Sequence, residues 1–414
     1  MQGQSVRNLY ESLGPVGCVN KLQECLDKRL VRPEEFSIRE LAEAFCGHDW
    51  EHRLTGENFA RNRCQWKKTA HDRGFTERDL YEAGEGIDVS AFAHITGQLF
   101  FNKILTGWEN AVMIGEKLVT NFPTKLDGER LPWIGHALSE GEEVKTGMPY
   151  PETSFGERYI DTPRTKKIGN LLSLTKEAIF YDHTGQMMKG AQELGTRIGY
   201  FKEKMILNVA MGLTNSYSLN GVTANTFQTA AGATPNTYIN SQVSTPLVDW
   251  TSIQQYYILA ANILDPDTGN PIITKPKSLL VMPANVMTAK RIVHATEVRS
   301  TFPGYGTSNV GAPGNVSMIS DSPLPDTLEV LSSAIALQLL IASGLTATQA
   351  NAYWFMGDFP ESFYWMENWP FTIVQAPANN TKDFEQDILM RWKASFRGIP
   401  AVIEPRYIQK FTNT

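Results

Sequence analysis

His48-Asp49-Trp50-Glu51-His52 fits the H-x-x-E-H pattern of zinc peptidases. Two histidines four apart on one helix face can hold zinc, with the intervening glutamate as general base. Here the pattern follows Gly47, where helix continuity is weak, and a third ligand such as Glu77, Glu82 or Glu85 is only conjectural. A zinc hydrolase on His48 and His52 therefore stands as an alternative reading, and no metal site is assigned. Cys18, Cys25, Cys46 and Cys64 lack the short paired spacing of a zinc ribbon and read as structural thiols. Gly306-Thr307-Ser308-Asn309-Val310-Gly311 opens like a phosphate loop, but Ala312-Pro313 stand where Lys and Ser/Thr are required. Gly304-Tyr305-Gly306 lacks the third glycine of a dinucleotide fingerprint. There is no G-x-S-x-G, and the scattered histidines form no local nucleophile–base set. These residues point to a chain that is not an enzyme, with no catalytic residue and no cofactor.

The composition narrows the class further. Hydrophobic content of 42% and charge of 20% are globular values. A net charge of −6 argues against an overall electrostatic grip on nucleic acid. The N-terminus lacks the layout of a signal peptide. The longest apolar stretch, Leu331 to Leu345, is shorter than the ~20 residues of a membrane span and predicts a buried helix.

About a third of the first 80 residues are charged, against about a sixth of the remainder. Ser37-Ile38-Arg39-Glu40 is a capping box ahead of Leu41, Ala42 and Phe45, so residues 1–80 read as a charged helical arm. Asp88 or Ser90 can cap a helix bearing Phe92, Ile95, Leu99, Phe100 and Ile104. Residues 131–180 read as extended: polar strands around Glu142–Thr146 and Glu157–Thr162, then a more apolar strand from Ile168 to Phe180. A two-stranded ribbon is marginal alone in water, so this one should need another chain to lie on. The clearest helix follows, capped by Asp182 or Thr184 and stopped by Gly212. Met187, Ala191, Leu194, Ile198, Phe201, Met205 and Val209 form its apolar stripe, and Gly190, Gly195 and Gly199 invite close approach by a neighbour. Thr214 to Thr245 is a neutral polar insertion expected at the surface. A helix over Ile253–Ile263, a buried strand Ser278–Met282 and a second helix through Ile292 come next. Nine aromatics lie within Tyr353 to Phe371, among them Trp354, Phe359, Trp365 and Trp369, and suggest sheet made for contact with neighbours.

Several stretches carry a family resemblance. They are the long helix opening Asp182-His183-Thr184-Gly185-Gln186, the run SLLVMPANVMTAKRI from Ser278, the run YWFMGDFPESFYWMENWPFTIV from Tyr353, and DFEQDILMRWKASFRGIPAVIEPRYI from Asp383. In this order, after a helical arm and a long hairpin, they resemble a tailed-bacteriophage major capsid protein with the HK97 fold, over roughly residues 88–411. The resemblance implies an α+β, HK97-like capsid fold. Residues 1–80 would be a scaffolding-like segment, and 81–130 the N-arm and start of the peripheral domain. Residues 131–172 would be the extended hairpin loop over an adjacent subunit. Residues 173–245 would be the peripheral domain with its spine helix and polar insertion, 246–368 the axial domain, and 369–414 the return strands.

The function so implied is self-assembly into the icosahedral head that encloses double-stranded DNA, in the virion, after synthesis in the host cytoplasm. The implied partners are copies of the chain itself in hexamers and pentamers, and packaged DNA without sequence specificity. Portal, scaffold, maturation protease and decoration proteins complete the set, and no membrane is involved. Glu157, Arg158, Arg164, Lys166 and Lys167 are the candidate inter-subunit contacts. Some family members weld the shell through Lys–Asn bonds; Lys145, Lys166 and Lys167 are available here, but Asp383 stands at the expected acceptor position, so no such weld is expected. An encapsulin-type nanocompartment shell is the alternative of the same architecture.

Overall fold

The computed structural model describes residues 85–111, 113–137, 155–181, 186–232, 237–265, 269–272, 274–294, 298–301, 316–319, 328–377 and 386–412, with single residues elsewhere. The architecture is α+β. In chain order the elements are α1 (Glu85–Glu109), α2 (Gly115–Leu118), β1 (Thr120–Pro123), β2 (Arg130–Ala137), β3 (Phe155–Asp161), β4 (Lys166–Thr175), α3 (Lys176–Phe180) and α4 (Gln186–Ala210). Next come β5 (Tyr217–Leu219), β6 (Val222–Ala224), β7 (Ser241–Gln242), α5 (Trp250–Ala261), β8 (Ser278–Val281), α6 (Val286–Val293), β9 (Val298–Thr301), β10 (Val316–Ile319) and β11 (Glu329–Ser332). The last are α7 (Ala334–Ala342), α8 (Ala347–Asn351), β12 (Trp354–Gly357), α9 (Phe359–Ser362), β13 (Phe363–Pro377), β14 (Ile388–Val402) and β15 (Ile408–Phe411). The sheet orders are β1-β13-β14-β4, β11-β8-β12-β15-β7, β2-β3-β5-β6 and β10-β9. The chain divides into two compact units. One comprises Met1–Val112, Lys167–Tyr200 and Pro370–Phe396; the other comprises Met113–Lys166, Phe201–Trp369 and Arg397–Thr414.

In the first unit, Ile95, Leu99, Phe100 and Ile104 bury one stripe of α1, as their spacing predicts. The helix begins at Glu85, so Asp88 and Ser90 lie inside its first turns and do not cap it. Glycines let α1 and α4 approach backbone to backbone. A Cβ at Gly195 would overlap the Ile104 carbonyl oxygen, and one at Gly107 would overlap that of Gln192. Thr196 Oγ1 donates to the Gly107 carbonyl at 2.9 Å across the same crossing. This contact sets the phase of α4. The buried residues are Met188, Ala191, Ile198, Ile206, Leu207 and Ala210, whereas Phe201 of the expected stripe is 48% exposed. Met187, Leu194 and Met205 are only half-buried. The expected stripe followed the largest side chains; the observed one follows the glycines, because backbone approach excludes bulk from the contact line. Phe100 stacks on Trp392 at 4.4 Å and Trp108 on Phe371 at 4.3 Å between ring centroids.

The strand expected to run to Phe180 stops at Thr175. There Oγ1 accepts from Ala178 N at 3.2 Å and starts α3. α4 ends as expected: Gly212 takes φ +68, and the N–H of Leu213 reaches back to the Asn208 carbonyl.

The second unit is built on the five-stranded sheet. β8 is buried at every residue, with β11 parallel on one side and β12 antiparallel on the other. Ile253 and Tyr256 of α5, Ala289 and Ile292 of α6, and Trp354, Met356 and Phe411 close one core. Trp354 stacks on Phe411 with centroids 3.9 Å apart, and its Nε1 donates to the Thr245 carbonyl at 2.8 Å. Burial of a residue this size stabilises by about 5 kcal/mol at 25 cal/mol per Å². α5 starts three residues before the sequence expectation because Asp249 caps it, accepting from Thr251 N at 2.9 Å.

Three further elements differ from the sequence expectation. The aromatic run is mostly the chain's own core: Trp354, Phe355, Phe359, Phe363 and Trp365 are all buried, and Trp369 is half-buried. The helix within Leu331–Leu345 is not fully buried: Ala336 and Leu340 of α7 are buried, and Ile335, Leu337, Leu339 and Ile341 are half-buried. The polar insertion is not wholly a surface loop. Asn240 and Thr226 are fully buried, Asn240 Nδ2 donates to the Thr226 and Pro405 carbonyls at 2.8 and 3.0 Å, and β7 extends the five-stranded sheet.

Candidate functional site

The ribbon formed by β2 and β3 belongs to the second unit. The strands pair antiparallel from Arg130↔Asp161 to Ala137↔Phe155, with an irregularity between Ile134 and Ala137. Eight residues of β2 give about 26 Å of extended chain. The ribbon is not wholly without a partner in its own chain, because β5 pairs with Ile160 and Asp161 of β3. Asn220 bonds both backbone groups of Tyr159, and beyond Tyr159 no third strand pairs with β3 among the described residues.

The root of the ribbon is a dense polar clamp. Glu129 N donates to Thr162 Oγ1 at 2.8 Å, and Thr162 N donates to the Glu129 carbonyl at 2.9 Å. Thr124 Oγ1 donates to Glu129 at 2.6 Å. Asn368 Nδ2 donates to the carbonyls of Thr124 and Leu126. Asp127 accepts from both the backbone N–H and the hydroxyl of Thr165, at 3.0 and 2.8 Å. Arg397 donates to Thr165 Oγ1 at 2.9 Å, approaches Asp127 at 3.0 Å and lies over the Trp369 ring at 5.5 Å. The Thr165 hydroxyl bond and the Arg397 guanidinium hold the Asp127 carboxyl below the usual carboxylate range. Arg130 pairs with Asp161 at 2.9 Å and covers the Tyr159 ring at 4.0 Å. The chemistry is positional: two chain segments, entering and leaving the ribbon, are bonded to each other and to β13 and β14.

Beyond the ribbon root lies a small cavity of about 20 Å³, room for one water, lined by Arg158, Tyr217, Tyr238, Glu404 and Arg406. Arg406 forks onto Glu404 with two bonds of 2.7 Å and reaches Asp265 at 3.5 Å, and all three side chains are buried. Burial alone would pull the Arg406 pKa down, but the Glu404 bonds outweigh it and the net shift is upward. Burial raises Tyr238 and Tyr217. Glu203, also buried, accepts the N–H groups of Ile114 and Gly115 at 3.2 and 2.7 Å and so caps α2; burial raises its pKa. Lys410 sits among Phe227, Tyr353 and Phe355 at 5.7, 5.2 and 5.9 Å, and burial lowers its pKa to about 8.

The sequence candidates are spread through these features. Glu157 and Arg158 are on β3, opposite Ile134 and Trp133. Arg164, Lys166 and Lys167 are exposed where β3 gives way to β4. The clamp residues Asp127, Thr165 and Arg397 escaped sequence reasoning, because they lie far apart in sequence and belong to three different linkers and strands. Glu404 and Arg406 carried a signal, a charged pair inside the apolar run Ala401–Ile408. His48, His52, the four cysteines, the 304–313 loop, Lys145 and Asp383 lie outside the described residues. Among the described residues no cluster of His, Cys, Asp or Glu is arranged to hold a metal, and no helix is long and apolar enough to cross a membrane.

A phage capsid protein family model matches residues 159–411, more than half of the chain. The chain belongs to the phage capsid protein family. It is a structural protein of a phage head, and the match lends nothing to the nanocompartment alternative. No curated protein matches it in sequence. Among solved structures, the capsid of cyanophage P-SCSP1u is similar at 11% identity and TM-score 0.44, over 73% of this chain and 89% of that one. The cyanophage Pam1 capsid is similar at 12% and 0.43, over 70% and 85%. A virus-like particle from Pyrococcus furiosus is similar at 8% and 0.41, over 76% and 98%. These likenesses are loose, and family membership rests on residues 159–411.

Proposed function

We propose that the chain is the major shell subunit of a tailed-bacteriophage head of the HK97 type, closing into hexamers and pentamers around double-stranded DNA. The observation that carries this reading is the clamped ribbon. Among the ribbon's described side chains Ile160 is buried, Leu131, Arg158, Tyr159 and Asp161 are half-buried and Arg130 and Pro132 are exposed, and the root is fixed by bonds that cost conformational entropy to hold. A two-stranded ribbon held in one direction gains stability by lying on another subunit, and a closed shell offers each copy such a neighbour. DNA is then held without sequence recognition, and portal, scaffold, maturation protease and decoration proteins are the partners of assembly. Glu157, Arg158, Arg164, Lys166 and Lys167 supply salt-sensitive contacts between copies.

Negative-stain microscopy with native mass measurement tests the reading. The expressed chain should give closed particles, and a well-behaved monomer at all concentrations refutes it. Arg164→Glu should lower particle yield at least several-fold at low salt while the subunit stays folded. Unchanged yield would remove Arg164 from the contact.

A further inference from the structure

Lys410 of β15 is a cation enclosed without a counter-charge. Its Nζ lies over the rings of Phe227, Tyr353 and Phe355 and donates to the Met211 carbonyl at 3.3 Å, just past the end of α4. Tyr353 is the titratable side chain that faces it; among the described residues no carboxylate and no second cation does. Three parts of the second unit meet at this spot. Gly212 closes α4, and a Cβ there would strike the Phe227 ring. Asn215 holds the Phe227 backbone at both ends, accepting from its N–H at 2.7 Å and donating to its carbonyl at 2.9 Å. The Lys410 N–H donates to the Asn240 carbonyl, and the Asn240 side chain bonds the backbone of Thr226 and Gln228. Cover over the Phe227 loop is thin: Asn225, Thr229, Ala230, Ala231 and Gly232 are all exposed, whereas β8 is buried at every residue.

We infer that Lys410 is a proton-sensitive joint: its ammonium form favours a local opening in which the Phe227 loop lifts from the end of α4 and the amine reaches water, and its neutral form favours the closed arrangement. The joint belongs to the single subunit and goes beyond the shell function. Ring faces and a helix end attract a cation, but a desolvated charge without a partner still costs more than the neutral group. Burial accordingly lowers the Lys410 pKa from 10.5 to about 8. An amine released to water regains its ordinary value, so the open form binds more protons across that window. Opening is therefore easiest below the window and becomes harder as pH rises through it, by up to about 300-fold for a fully solvated amine. Weakly covered segments of this kind open below the free energy of global unfolding.

Pulse-labelling hydrogen exchange on the full-length chain from pH 7 to pH 10, with each rate divided by that of the unfolded peptide, tests the joint. The amides of Phe227 and Lys410 report the joint, and those of Leu279–Val281 in β8 report the core. At pH 7 the joint amides of wild type should exchange roughly tenfold or more faster than the β8 amides. Between pH 8 and pH 10 their exchange should slow roughly tenfold or more relative to Lys410→Met, which carries no charge at any pH. Lys410→Arg stays charged throughout and should keep fast exchange to pH 10. Joint amides as protected as β8 at pH 7, or a wild-type to Lys410→Met ratio that does not change with pH, overturn the joint. Should Lys410→Met fail to fold, wild type against Lys410→Arg decides: parallel pH profiles overturn the joint, and profiles that diverge above pH 8 support it.

Discussion

Arg406→Met is the sharpest test of the buried network at the entrance to β15. The wild-type guanidinium makes two 2.7 Å bonds to Glu404 and one 3.5 Å approach to Asp265, and all three side chains are buried. Two carboxylates thus share one cation. Removing the cation leaves two buried carboxylates without their counter-charge, which costs about 3–5 kcal/mol. A domain's whole stability is roughly 5–15 kcal/mol, so the variant sits near the edge of folding. At roughly 2–4 °C per kcal/mol, the melting temperature should fall by about 10 °C. The same geometry ranks the other substitutions. Asp265→Asn keeps the two short bonds and should cost least, and Glu404→Gln should fall between. The triple variant Arg406→Met, Glu404→Leu, Asp265→Leu removes every charge and should recover most of the loss. Urea unfolding of the dissociated subunit, followed by tryptophan fluorescence, measures each variant. If the triple variant is as unstable as Arg406→Met, or Asp265→Asn is the worst of the set, then uncompensated buried charge is not what governs this site.

Other predictions concern single contacts. Gly195→Val forces α4 away from the Ile104 carbonyl and should cost about 3 kcal/mol by overpacking, read from the shift in urea midpoint. Glu203→Gln offers one acceptor to two backbone donors and should cost about 1–3 kcal/mol near neutral pH. Burial raises the Glu203 pKa, so its stabilising contribution is largest below the ordinary glutamate value and declines as pH rises through the folded value. The melting-temperature gap between wild type and Glu203→Gln should therefore narrow from pH 4 to pH 7. Lys410 has the opposite sign: between its folded value of about 8 and its ordinary value of 10.5 the unfolded chain binds more protons. The stability difference between wild type and Lys410→Met should move in favour of wild type as pH rises across that window, as measured by denaturant titration at several pH values.

Local elements were legible where one physical rule acted alone. Ile95, Leu99, Phe100 and Ile104 announced the buried stripe of α1. Gly212 marked the end of α4 through its positive φ. The apolar run Ser278–Val281 announced a strand buried throughout. Where two rules competed, sequence reading chose the wrong one. Large side chains pointed to Phe201 as part of the packed stripe of α4, but the glycine crossing with α1 rotated the contact line away from it. Apolarity pointed to a fully buried helix in Leu331–Leu345, but only Ala336 and Leu340 of α7 are fully buried and its other large apolar side chains are half-buried. Aromatic density pointed outward to neighbours, but the sheet folded most of those rings inward.

The order of the main helices and strands and the resemblance to phage shell proteins were determined by the amino-acid sequence alone. They depend on residue type and short spacing, which are local quantities. The clamp of Asp127, Thr165 and Arg397 and the Arg406 network were decided only by tertiary structure. Hydrogen bonds and burial act over a few ångströms in space, and the partners here lie up to hundreds of residues apart along the chain.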